Sequence, residues 1–290
     1  MSRTLRWLRR IGAALVALVV AAVLTIWILS NRILYRQYDL PVARIAVPSD
    51  SASLARGEHL IAILGCEGCH GKNLEGKVFF DEPYVARIVA PNLTEAVKRY
   101  GDDSLAFVIR DGINADKRPV LVMPSDAFYN LSDRDVAAVI AALRKRPPAQ
   151  SDSVLPANAY RILGRFGLAT GEFKTAPDHT DRSRPRHGES TDTTALGRGA
   201  YLAMTSCIEC HGDDLRGDMG TPSLAGAYGY SLEEFVHLAR TRQPRDTARV
   251  LGTMAQVALS RLANMTDAEL ADLHGYLRSI PAVAPAAQPD

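Results

Sequence analysis

Two short stretches decide how this chain is read: Cys66-Glu67-Gly68-Cys69-His70 and Cys207-Ile208-Glu209-Cys210-His211, which together hold all four cysteines. C-x-x-C-H is the attachment frame of c-type haem. Two thiols three positions apart at the end of a helix reach both vinyl groups of one porphyrin, and the adjacent imidazole lies beneath the iron. The frames predict two covalently bound haem c groups, with Cys66, Cys69, Cys207 and Cys210 as thioethers and His70 and His211 as proximal ligands. A zinc half-site, a dithiol redox pair or a pair of disulfides would draw on the same residue types. Two frames, each opening a repeated helical unit, suit zinc or dithiol chemistry poorly.

Outward from the frames, the chain repeats itself. Ala55-Arg56-Gly57 through Leu74-Glu75-Gly76 is echoed by Gly197-Arg198-Gly199 through Leu215-Arg216-Gly217. Asn130-Leu131-Ser132-Asp133 recurs as Asn264-Met265-Thr266-Asp267, and Leu143-Arg144 as Leu277-Arg278. A unit of about 90 residues is small for a self-sufficient core, so a prosthetic group is expected to fill the middle. Ser132-x-x-Asp135, Ser231-x-x-Glu234 and Thr266-x-x-Glu269 read as capped helix starts. Val136, Val139, Ile140 and Leu143, and then Leu270, Leu273 and Leu277, keep a helical apolar stripe after two of them. Ser104 to Arg110 reads as the counterpart of the helix that Ser231 opens. No long alternating stretch argues for a sheet, so the units are expected to be all-α with long loops.

Hydrophobic residues make up 47% and charged residues 23%, ordinary globular usage that excludes a disordered, collagen-like or polytopic membrane chain. Net charge is +2, and residues 1–36 carry six arginines and no acid, so the remainder is 2 − 6 = −4. Nothing in that balance points to nucleic acid. Ile11 to Leu29 is 19 residues without a charge, a helix of roughly 28 Å and enough to cross a bilayer. It is longer than the apolar stretch of a signal peptide, so an uncleaved single-pass anchor is expected. Four arginines precede it and two follow, which places the N-terminus in the cytoplasm and the rest outside.

The expected partition is therefore a basic segment and anchor over 1–36 (span about 11–29), a linker over 37–51, a first unit over 52–148, an inter-unit linker over 149–194, a second unit over 195–283 and a disordered tail over 284–290. Within the longer linker, Ala159 to Leu168 is too apolar for a spacer and is expected to pack along a unit.

A six-coordinate haem needs a second axial ligand. Met123 in Val122-Met123-Pro124 and Met254 in Gly252-Thr253-Met254 stand at matching places ahead of the last helix of each unit, and are the expected distal ligands. Met204, Met219 and Met265 are nearby alternatives for the second unit, although Met265 replaces Leu131 and reads as packing. His59 and His274 read as partly buried structural residues, His179 and His187 as solvated ones.

These residues resemble the class I-type c cytochromes in their membrane-anchored di-haem form, and most nearly the haem modules in cytochrome subunits of bacterial periplasmic dehydrogenases. The likeness is carried by both frames, Ala90-Pro91-Asn92-Leu93-Thr94, Arg110-Asp111-Gly112-Ile113, Met123-Pro124 and Leu131-Ser132-Asp133. It implies that the Pro91 carbonyl accepts from the His70 ring and the Pro222 carbonyl from that of His211. It also implies an all-α fold, a transmembrane helix followed by two tandem cytochrome c-like helical domains, held on the periplasmic side of a bacterial inner membrane. The second unit departs from the pattern, with Ser223 for Asn and Ala255 after its methionine. The implied activity is electron transfer rather than catalysis, with a dehydrogenase, a quinol-oxidising complex or a terminal oxidase as redox partner. The alternative is a di-haem enzyme of the peroxidase kind, which needs one open iron and an acid–base group beside it.

Overall fold

The computed structural model describes residues 3–151, 154–218, 220–246 and 251–281, so Met219 and the expected tail 284–290 lie outside them. The chain begins with α1 (Arg3–Leu34), which is long and apolar enough to cross a membrane and keeps most of its apolar side chains exposed. Residues 37–50 then cross the first unit without helix or strand. Along the way the Tyr38 N–H donates to the Lys117 carbonyl and the Ile45 N–H to the Asp103 carboxylate.

The first unit contains α2 (Ser51–Ile63), α3 (Cys66–His70), β1 (Lys77–Glu82), β2 (Ala86–Ala90), α4 (Leu93–Arg99), α5 (Asp102–Asp111), α6 (Ser125–Phe128) and α7 (Asp133–Lys145). The stretch between the units carries β3 (Ala159–Tyr160), α8 (Ile162–Thr170) and α9 (Ala176–His179). The second unit contains α10 (Ala195–Ser206), α11 (Ile208–His211), α12 (Leu232–Thr241), α13 (Thr253–Ser260) and α14 (Asp267–Ser279).

Both units are built on one helix crossing. A Cβ on Gly57 of α2 would lie 2.0 Å from the Ala138 carbonyl oxygen of α7, and one on Gly199 of α10 would lie 2.1 Å from that of Asp272 in α14. Glycine is required at each place because the two backbones touch. Beside each crossing an arginine holds the pair: Arg56 on Asp135 at 3.0 and 3.1 Å, and Arg198 on Asp272 at 2.6 and 3.0 Å. A second arginine clasps the start of each last helix. Arg110 donates to the Leu131 carbonyl and the Asp133 carboxylate, and Arg240 to the Met265 carbonyl and the Asp267 carboxylate, all at 2.7 Å.

The Ser231 and Thr266 starts are reciprocal capping boxes with Glu234 and Glu269. Ser132 caps the N–H of Asp135, but the Asp135 carboxylate turns away to Arg56 and Tyr201 instead.

Three expectations need correction. The fold is mostly helical but not all-α: β1, β2 and β3 form an antiparallel sheet in that order. Its strands are too short, and one of them too distant in sequence, for alternation to show. The β1–β2 hairpin belongs to the first unit, in the chain between Gly76 and Pro91. The second unit passes from Gly217 to Pro222 with no counterpart strand among the described residues. The segment 149–194 is more than a linker: β3 completes the sheet and α8 packs along α1. His187 is half-buried rather than solvated, with its backbone N–H toward the Asn130 side chain. His59 and His274 do take structural places, on Glu269 and on the Tyr230 carbonyl.

Candidate haem site

Each frame forms one short helical turn ending in histidine, followed by a left-handed glycine, Gly71 (φ 91°) or Gly212 (φ 75°). Leu74 and Leu215 also sit at positive φ, 62° and 59°, rare for a branched side chain. Both are buried in the core, and their carbonyls accept from the N–H groups of Leu93 and Leu224 at 2.9 Å. That staple brings a proline carbonyl under each ring. His70 Nδ1 lies 2.8 Å from the Pro91 oxygen, and His211 Nδ1 lies 2.8 Å from the Pro222 oxygen. A carbonyl only accepts, so Nδ1 carries the proton in both rings and Nε2 keeps its lone pair for a metal.

In the first unit the frame opens on a cavity of about 530 Å³, within the size range of small-molecule and cofactor sites. Cys66, Cys69, His70, Pro91 and Met123 line it together with apolar Leu93, Val97, Leu105, Ile109, Phe128 and Val139. Its walls also include Leu34 and Tyr35 from the end of α1. Among the described residues, no aspartate, glutamate or second histidine lines it. Burial pushes the Cys66 thiol up to about 12 and also raises Cys69, so both are neutral thiols near pH 7. Burial lowers His70, against the opposing Pro91 hydrogen bond, which keeps the imidazole neutral, the form that ligates metals. An apolar cavity with two thiols on its wall and a pre-oriented neutral imidazole fits a covalently held haem. Among the described residues, no group of three or more His, Cys, Asp or Glu forms a metal cage, and all four thiols are free of disulfides.

In the second unit His211 is buried, and burial pushes Cys207 up to about 12 and raises Cys210. Met254 stands in the first turn of α13, half-buried against the common core, with no described contact to His211. Residues 247–250, which precede it, lie outside the described residues. Met204 and Met265 are core residues, at 8% and 1% exposure.

Sequence reasoning missed Arg261. It belongs to the second unit but lines the first unit's cavity, its Nε so close that a Cβ on Gly65 would lie 2.4 Å away. Its guanidinium lies 2.8 Å from Glu209, inside the second frame, and donates to the Ser206 carbonyl at 3.3 Å. Burial works against its charge, and the Glu209 carboxylate beside it favours the charged form. One cation thus stands between the two frames. No motif or period marks it, because its role depends on how the units dock.

Residues 196–281 match the family model of cytochrome c. The second unit is thereby a cytochrome c domain, a fold that implies covalently bound haem c. About four-fifths of the chain is also homologous to cytochrome subunits of dehydrogenases. It is 24% identical to the fructose dehydrogenase cytochrome subunit of Gluconobacter japonicus, covering 81% of this chain and 54% of that one. It is 25% identical to the cytochrome c subunit of the quinone alcohol dehydrogenase of Gluconobacter oxydans, covering 82% and 57%. Against a nicotinate dehydrogenase subunit of Pseudomonas putida it is 26% identical over 63% of this chain and 16% of that protein. The chain spans little more than half the length of the two cytochrome subunits.

Proposed function

We propose that this chain is a membrane-tethered di-haem c-type cytochrome that carries electrons from a dehydrogenase to an acceptor outside the inner membrane. The observation that carries the reading is the pair of frames, each with its histidine Nδ1 at 2.8 Å from a proline carbonyl, one of them opening on an apolar cavity that also holds a methionine. Haem c, when bound, supplies a one-electron Fe(III)/Fe(II) couple. Cys66 and Cys69 would hold it in the first unit (52–148), and Cys207 and Cys210 in the second (195–283). His70 and His211 would ligate the iron through nitrogen, and Met123 and Met254 through sulfur.

The chain's own residues then do three things. Pro91 and Pro222 fix the imidazole tautomer and orientation, so the ligand needs no rearrangement when the charge on the metal changes. The apolar walls exclude water and keep the polarity of the site constant between the two oxidation states. Met123 in the same cavity wall as His70 supports a carrier, whose iron has both protein ligands, over a peroxidase, which must move a proton beside an open iron. The arginine-flanked α1 would hold both units at the periplasmic face.

Intact-mass measurement of the protein purified from detergent-solubilised membranes tests the reading. The expected result is the chain plus two haem groups that survive acid–acetone extraction, with a low-spin ferric spectrum. A bare chain, or a high-spin form that takes up cyanide readily, would overturn it.

A further inference from the structure

The polar surface of the first unit is interrupted at one corner. α8 carries Ile162, Leu163 and Phe166 on one side, at 48%, 53% and 51% exposure, and Tyr84 at the tip of the β1–β2 turn is 70% exposed. These belong to one rigid surface. The Leu163 N–H donates to the Tyr84 carbonyl and the Arg161 N–H to that of Val85, each at 3.0 Å. The other side of α8 is already satisfied: Leu168 is buried, and a Cβ on Gly164 would lie 2.2 Å from the Val85 oxygen. The apolar face is therefore left outward by a helix that has its packing partners.

The position of that face says what covers it. The Arg165 guanidinium of α8 donates to Ser30 Oγ and Asn31 Oδ1, both at 2.9 Å. Ser30 and Asn31 are the first polar residues after the uncharged span that ends at Leu29. α8 is thus tied to α1 at the level where the apolar sequence stops. Arg32 lies exposed on the same end of α1, and Arg161, at the start of α8, is ion-paired with Asp81 at 2.8 Å, so arginines and their partner rim the apolar face. Aromatic and aliphatic side chains with arginines at that depth are the composition of a membrane interface.

We infer that α8 and the Tyr84 turn rest on the lipid surface, with Ile162, Leu163 and Phe166 in the boundary between headgroups and acyl chains. This rests on the anchor reading proposed above. Its consequence is orientation: a single span leaves a soluble unit free to swivel, whereas a second contact fixes which side faces the bilayer. Leu34, Tyr35 and Tyr160 stand at the same corner and also line the first cavity, so that cavity is held on the membrane-proximal side.

The test uses the full chain in nanodiscs of phosphatidylcholine and phosphatidylglycerol, nitroxide-labelled through Leu163→Cys or Phe166→Cys. The exposed Lys98→Cys is the aqueous reference and Val20→Cys the mid-membrane one. With the four native thiols held in thioethers, each variant takes one label, and its haem spectrum reports folding. Expected at 163 and 166 is several-fold more collision with oxygen than with a water-soluble nickel chelate, relative to position 98 and short of position 20. Equal access to both agents would mean the face meets water or awaits a protein, and access to neither would mean it packs on its own chain; each overturns the inference. If position 20 also reads as aqueous, the anchor reading itself has failed and this inference falls with it. A lipid signal at 20 without one at 163 or 166 overturns this inference alone.

Discussion

Met123 and His70 line one cavity, and among the described residues lining it the methionine is the one sulfur donor apart from the two frame thiols. Replacing it with alanine removes the proposed distal donor without touching Cys66, Cys69 or His70. Met123→Ala is expected to turn the first haem high-spin in the ferric state while the intact mass still shows two haems; an unchanged optical spectrum would remove Met123 from the site. Arg261 allows a second test of a different kind. A buried cation at the cavity wall favours the less positive, reduced iron, and Glu209 beside it cancels part of that field. Arg261→Met is expected to lower the midpoint potential of the first haem by some tens of millivolts, where ~60 mV is a tenfold change in a one-electron equilibrium. Glu209→Gln is expected to raise it. Spectroelectrochemical titration reads both, and shifts of the same sign would show that the effect is structural rather than electrostatic.

The helix crossing inside each unit is where local sequence and packing agree most closely. At Gly57 the space for a Cβ is taken by the Ala138 carbonyl, whereas Gly275, inside α14, has nothing within 4 Å of that position. Gly57→Ala is expected to destabilise by ~1–3 kcal/mol through overpacking, and Gly275→Ala to stabilise by ~0.5–1 kcal/mol through lost unfolded-state freedom. Thermal unfolding of the two variants should therefore shift in opposite directions. These elements were legible because their signals are local: capping residues at Ser132, Ser231 and Thr266, stripes at 3.6-residue spacing, and an arginine–glycine pair repeated ahead of each frame. The β1–β2–β3 sheet was not, since β3 has two residues and joins the hairpin from beyond α7. Arg56 and Arg198 were visible as repeated letters, but their carboxylate partners on α7 and α14 are contacts across the crossing, which a linear pattern does not record.

At the scale of the molecule, the two units meet about an approximate two-fold relation that their sequences only half share. Aligning Gly57 with Gly199 sets His59 against Tyr201, and aligning Ser132 with Thr266 sets Asp135 against Glu269. The structure pairs them crosswise: the Tyr201 hydroxyl donates to Asp135 at 2.7 Å, and His59 Nε2 lies 2.8 Å from Glu269. This is the geometry of an isologous interface made within one chain, and it brings Arg261 between the frames. Glu269 also closes the capping box of α14, so at that end docking and capping share one group. Burial acts to raise Glu269, but the Thr266 backbone N–H and His59 together hold it below its ordinary value of 4.5; the Arg56 guanidinium, 3.5 Å away, also faces it. A carboxyl depressed in the folded state contributes its full stabilisation above the unfolded value and loses it as pH falls through the folded one. Docking of the two units is therefore expected to weaken on acidification from about pH 4.5 downward. Glu269→Gln is expected to be less stable than the native chain near pH 7 and to converge with it at low pH, because the substitution mimics the protonated group. Melting temperatures of both proteins across that range measure the difference, and parallel curves would show that Glu269 does not link protonation to docking.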